Sequence, residues 1–162
     1  MLFPDWYKGG WKDSEALVRD MLLPFVGLLD PAPPVVAWLP DKYEDNLPII
    51  SIARETGAAD FDATNMLDGA QVSIACICER RADSWQLFEY VRQVMRSYYK
   101  GGMVAHGDGS KTRVTKVLEM VGPEFLQLSD FDQRIVSATY LVESRLPADT
   151  PDYERIRKGL SL

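Results

Sequence analysis

AQVSIACICE, Ala70 to Glu79, is the stretch whose reading decides the fold. Val72, Ile74, Cys76 and Cys78 alternate with Gln71, Ser73, Ala75 and Ile77, the two-residue period of a strand with one face in a core. Asp83 follows as a helix opener, with Gln86 three residues on as its capping-box partner. From Ser84 to Tyr99, Leu87, Phe88, Val91, Val94, Met95 and Tyr98 recur on one stripe, the pattern of a helix lying on a sheet. Thr112–Val121 and Arg134–Val142 alternate again, and Gly122-Pro123 is expected to break the chain between them.

Upstream, Asp13 or Ser14 can cap a short helix through about Leu23, with Leu17, Met21 and Leu22 inward, and Pro24 is expected to end it. Pro31, Pro33 and Pro34 make a stiff connector into a strand at Val35–Leu39. Pro48–Arg54 reads as the next strand, and the polar, Pro-containing loop between them suits a hairpin. Glu55–Gly69 reads as a polar connection, too long for a tight turn, and such loops are usually functional or mobile. Lys100–Ser110, with Gly101, Gly102, Gly107 and Gly109, reads as a second loop. The fold class is α+β: a single mixed or antiparallel sheet of about five strands packed against one long helix, plus a short N-terminal helix. The chain divides into an aromatic N-terminal arm at 1–12, this α+β domain at 13–146, and a polar C-terminal tail at 147–162.

With 162 residues, 46% hydrophobic and 26% charged, the chain has material for one ordinary core and is not compositionally disordered. No run is long enough to span a membrane, and Met1–Gly10 lacks the basic start and apolar centre of a signal peptide, so a cytoplasm-like compartment is expected. Cys76 and Cys78 sit on the same face of one strand, poorly placed to close on each other. With His106 the sole histidine, a zinc site is not expected, nor is any cofactor. The net charge is −6, of which Asp41–Asp68 carries −5. Such a surface repels phosphate, which disfavours ordinary nucleic-acid binding.

Candidate chemistry is sparse. Asp60-Phe61-Asp62-Ala63-Thr64 matches the DxDxT string of haloacid-dehalogenase-type phosphatases, whose two carboxylates must stand beside magnesium at the end of a buried strand. Thr56–Ala59 before it reads as loop, and the repeated strand–helix units of that fold are missing. The same segment fails as an EF-hand, with Asn65 at the turn glycine and Gln71 at the bidentate glutamate. The glycine-rich Gly101–Lys111 follows a helix instead of opening one, so no helix N-terminus faces a phosphate there. His106 beside Asp108 could act as a base with an orienting carboxylate, yet no nucleophile is tied to it by spacing. Nothing near Cys76 or Cys78 in sequence would lower a thiol pKa. No catalytic or metal-binding residue is therefore assigned, and the chain is not read as an enzyme. Phe3, Trp6, Tyr7 and Trp11 have no period and would leave an apolar patch unless they pack on their own domain or on a partner.

The order short helix, hairpin, acidic connection, strand, amphipathic helix, strand, strand resembles the tail terminator proteins of long-tailed bacteriophages. LPIISIARETG (Leu47–Gly57), QVSIACICERRADSWQLFEYVRQVM (Gln71–Met95), VGPEFL (Val121–Leu126) and RIVSATYLVESR (Arg134–Arg145) carry the resemblance, across residues 13 to 145. It implies a structural virion protein that forms a homohexameric ring, caps the tail tube, ends its polymerisation and joins the tail to the head–neck complex. The implied partners are further copies of the chain, the major tail tube protein and a head–neck connector protein. DNA passes through without being specifically bound, no membrane is involved, and the chain resides in the virion after assembly in the host cytoplasm. Under that resemblance Phe3, Trp6, Tyr7 and Trp11 become assembly contacts. Glu55, Asp60, Asp62 and Asp68 become residues of a channel wall or an inter-subunit seam. Another neck component, a head-completion or head–tail joining protein, is the alternative, and a DxDxT phosphatase the distant one.

Overall fold

The strand read from Ala70 onward is the middle of β3 (Leu67–Ile77) in a computed structural model that describes residues 2–7, 9–61, 66–126 and 134–159. Val72, Ile74 and Cys76 are buried, and Gln71, Ser73 and Ala75 on the opposite face are half-buried, as the alternation requires. β3 pairs antiparallel with β2 (Ile49–Asp60) on one side and β6 (Ile135–Arg145) on the other. β6 pairs antiparallel with β5 (Lys111–Phe125), which carries the short β4 (Gly102–Ala105). With β1 (Val35–Val36) beside β2, the sheet has six strands in the order β1-β2-β3-β6-β5-β4.

Helices α1 (Ser14–Val26) and α2 (Arg81–Ser97) pack against each other and on one face of the sheet. Phe88, Val91, Val94 and Met95 of α2 and Leu17, Val18, Met21 and Leu22 of α1 form a single core with Ile50, Ile52, Val72, Ile74, Val136 and Val142. The stripe read on the second helix is thus the buried one, with Leu87 and Tyr98 packed at its margin. The second face of the sheet carries Ser73, Ala75, Thr139 and Leu141 and has no helix over it among the described residues. A third helix, α3 (Tyr153–Arg157), follows the sheet.

Several local expectations give way to tertiary context. The mixed α+β class holds, but with six strands and three helices in place of five strands with one long and one short helix. Val35–Leu39 and Pro48–Arg54 do not make a hairpin: β1 is two residues long and runs parallel to β2, with Ile50 N–H donating to the Pro34 carbonyl at 3.0 Å. The intervening chain includes a 3₁₀ turn at Tyr43–Asn46 and is long enough to return to the same end of the sheet, as a parallel pair demands. Asp13 does cap α1, accepting from the Glu15 and Ala16 amides, but the helix runs through Pro24. Pro24 is exposed, so its lost hydrogen bond falls on the solvent side while buried Leu22 and Val26 hold the last turn. Asp83 is not a cap: it lies within α2 and takes two hydrogen bonds from the Arg80 guanidinium, at 2.7 and 2.9 Å.

Glu55–Gly69 is not a loop throughout. β2 continues to Asp60 and β3 begins at Leu67, so most of the segment is the upper half of a long hairpin. Lys100–Ser110 likewise contains β4. Gly122-Pro123 does not end the strand; it forms the irregular step between the Val121–Thr139 and Glu124–Ser137 pairs of β5 and β6. A bulge is where a strand tolerates proline, because the ladder is already interrupted there.

Candidate functional site

The hairpin β2–β3 rises beyond the helices, and its geometry is fixed by three contacts. At Gly57 the two strands approach so closely that a Cβ would stand 2.6 Å from the Gly69 carbonyl oxygen and 2.9 Å from the Ala70 Cα. Arg54 reaches across to Asp68 through two hydrogen bonds, at 3.3 and 3.2 Å. The Arg54 amide donates to Glu15 Oε1 of α1 at 2.8 Å, which ties the hairpin to the helix layer.

The acidic residues read from the sequence do not share one environment. Glu55 is exposed, and its carboxylate accepts from Thr139 Oγ1 at 3.5 Å on the uncovered sheet face. Asp60 is exposed near the hairpin tip, and Asp62 lies outside the described residues. Asp68 is buried and its charge is answered by Arg54. Three of these four residues therefore belong to the hairpin strands as described, and only Asp68 is enclosed.

The aromatic arm meets residues remote in sequence. Trp11 packs edge-on against Phe61 at 6.1 Å and its indole N–H donates to the Met66 carbonyl at 3.3 Å, both at the hairpin tip. The same carbonyl accepts from Leu146 N–H at 3.0 Å. Trp6 stands edge-on to Tyr153 of α3 at 5.5 Å, and Phe3 stacks on Tyr7 at 4.5 Å. Phe3 remains 58% exposed and Tyr7 is also exposed. The N-terminal arm and the C-terminal segment thus converge on one end of the molecule, around the hairpin tip.

The candidates for chemistry resolve into structural parts. His106 is not paired with Asp108: its Nδ1 lies 2.6 Å from Asp20 Oδ2 and its Nε2 lies 2.8 Å from Thr112 Oγ1. The imidazole is buried, and the bridge fastens α1 to the β4–β5 end of the sheet. Asp108 instead accepts from the Ser110 hydroxyl and amide and from Lys12, which hold its carboxyl well below the usual carboxylate range. Burial pushes the Cys76 thiol well up, and burial also raises that of Cys78, so neither is poised as a thiolate. A groove of about 460 Å³ between α2 and β5 holds Arg92, which is engaged by Glu119 at 2.8 Å and Glu89 at 3.0 Å. Tyr140 beside it is pushed well up by burial and then by Glu119. Among the described residues no three histidine, cysteine or carboxylate groups converge as metal ligands, and no helix is long and apolar enough to cross a membrane.

Two features escaped the sequence reading. β1 pairs only with Ile50 and Ser51 of β2, and β4 only with Lys111–Val114 of β5, so β2 and β5 run on past them with no strand beside that edge among the described residues. On the β5 edge Met120 and Val121 are 52% and 47% exposed. Below them Trp85 stacks on Phe125 at 5.5 Å, and the Arg81 guanidinium lies 3.7 Å from the centre of the Phe125 ring. Alternation reveals which side chains are buried but not which backbone edge lacks a neighbour, so no local signal marked either feature.

No curated protein matches the chain. The family model of phage tail termination proteins matches residues 10–151, a span that includes all six strands and both long helices. That match covers most of the chain and leaves out most of the aromatic arm and all of α3. This chain belongs to the phage tail termination protein family, a family of structural proteins of the virion tail and not a known enzyme family.

Proposed function

We propose that the protein assembles into a closed ring, a hexamer by the resemblance, that caps the tail tube, ends its polymerisation and presents its other side to the head–neck complex. The family match over residues 10–151 carries this reading. The molecule supports it in its distribution of surface: one sheet face is packed under helices, and the other ends in a buried row of Ile49, Ile77 and Ile135 and elsewhere carries half-buried Ser73, Ala75, Thr139 and Leu141. In the ring Glu55 and Asp60 line the channel or a seam between subunits, where a negative wall keeps passing DNA from adhering. Asp68 serves as the brace of the hairpin, since Arg54 already answers its charge. Phe3, Trp6, Tyr7 and Trp11 contribute assembly contacts around the hairpin tip, with the major tail tube protein and a head–neck connector protein as partners.

Native mass measurement of the full chain, alone and with purified tube protein, tests the proposal. A closed cyclic species that binds tube ends and halts tube growth is expected. A chain that remains monomeric in both settings overturns it. Binding to the head connector without binding to tube ends reassigns the chain to head completion.

A further inference from the structure

The two free edges lie at opposite sides of one sheet, and they match in direction and height. β2 is antiparallel to β3, β3 to β6, and β6 to β5, so β2 and β5 themselves run in opposite directions. Ala53, Ser73, Thr139 and Val121 form one row across the sheet, and Ala58, Gly69, Glu143 and Lys116 form a higher one. The unpaired stretch of β2 and the unpaired stretch of β5 therefore overlap between those rows. A copy rotated about an axis that runs along the strands keeps both height and direction. Its β2 then meets the first copy's β5 antiparallel, with Ala53 near Val121 and Ala58 near Lys116.

From this we infer that neighbouring copies of the chain join edge to edge, Ala53–Ala58 of one copy adding as an antiparallel strand to Lys116–Val121 of the next. The inference deepens the ring reading above and rests on it, since it names the surfaces through which the ring would close. Residue sizes fit. Ala53, Gly57 and Ala58 leave the β2 backbone approachable, and the exposed Met120 and Val121 gain cover on the β5 side. The Arg54 amide points away from β3 and is met by Glu15 Oε1 at 2.8 Å, in the place where a neighbouring strand's carbonyl would stand. One donor of the edge is thus capped by a movable side chain, and the rest of the edge has no strand beside it among the described residues. Pro123 closes the usable edge of β5 from below, because it has no N–H to offer. The contact is heterologous, the kind that closes into a ring when the rotation closes and removes both edges at once.

Paired cysteines in the full-length chain test this. Ala58→Cys with Lys116→Cys joins the two edges across the proposed contact. Within one chain the two positions are three strand spacings apart, about 14 Å, which is beyond disulfide reach. Thr56→Cys with Leu118→Cys repeats the test one step down the ladder, in case the first pair disturbs folding. Ala58→Cys with Glu124→Cys is the mismatched control, because Glu124 lies on the lower row of Ser51, Ala75 and Ser137. On oxidation the matched pairs should lose most of their monomer band to a ladder of covalent oligomers, and the mismatched pair should keep it. A cyclic species by native mass whose matched pairs stay uncrosslinked overturns the edge contact and leaves the ring reading standing. Equal crosslinking of matched and mismatched pairs overturns the register. A chain that is monomeric alone and with tube protein overturns the inference and the ring reading together.

Discussion

β2 and β3 form one hairpin with two unlike halves. In the lower half Ile50, Ile52, Val72, Ile74 and Cys76 are at most 1% exposed beneath the helices. In the upper half Arg54–Ala58 and Asp60 of β2 are exposed, yet the pairing continues from Ile49–Ile77 to Asp60–Leu67 with one irregularity near Glu55. The ladder therefore continues where the β2 side chains are no longer buried, tied to the helix layer there through Glu15. In the lower half burial holds the strands; in the upper half β3 is clasped between β2 and β6 and braced by Arg54–Asp68. The core half makes the fold stable, and the projecting half offers surface.

The largest expected effect lies in the core half. Phe88 is fully buried in the centre of α2's inner stripe, and Phe88→Ala should cost about 3–5 kcal/mol in chemical denaturation. A smaller loss than that caused by variants of the upper half would undo the contrast. The same half should weaken in alkali. Burial raises Cys76, Cys78 and Tyr140, so the folded chain keeps protons that the unfolded chain releases. Their stabilisation is present in full below pH about 8.5, the ordinary thiol value, and is lost as pH rises above it, with the phenol adding its share above about 10. Unfolding curves at pH 7 and pH 10 under reductant should differ in that direction, and Cys76→Ala should narrow the gap.

Gly57→Val probes the upper half directly. Its new side chain would meet the β3 backbone at under 3 Å, and the strands must part, at a cost of about 1–3 kcal/mol. Amide exchange should accelerate across 56–60 while α2 keeps its protection; equal acceleration in α2 would show that the halves are one cooperative unit. Arg54→Ala should be milder, about 1 kcal/mol, because the guanidinium is 36% exposed and the pair is screened. Asp68→Asn added to it should recover part of the loss.

This contrast also explains what the sequence could disclose. β3, α2 and β6 were legible because their apolar residues recur at periods of two and of about 3.6, and burial follows those periods. The upper hairpin was not. Glu55–Asp60 has no apolar alternation, and its strand character comes from β3, which is held in turn by β6. β4 and the run of β5 through Gly122-Pro123 were hidden for the same reason: neighbouring strands decide them. The His106 bridge to Asp20 and the Trp6 contact with Tyr153 join residues far apart in the chain, which leave no local signature. The free edges were equally invisible, being a property of sheet order.

The smallest expected effect on stability is deletion of residues 1–10, and it bears on what the arm is for. Trp6 makes one edge-on contact with Tyr153 and Phe3 stacks on Tyr7 within the arm itself, whereas Trp11, which the deletion keeps, holds the hairpin tip. An aromatic pair of this kind adds about 0.5–1.5 kcal/mol beyond its buried area. Ordering the arm costs backbone entropy that offsets these few contacts, so its removal should change the stability of the isolated fold little. Melting of the shortened chain should accordingly match the full chain. If the arm reaches a neighbouring copy or the tube, the shortened chain should form rings or bind tube ends more weakly at the same concentration, because rigid aromatic anchors carry a large part of interface energy. A shortened chain that melts earlier yet assembles normally would assign the arm to its own domain instead.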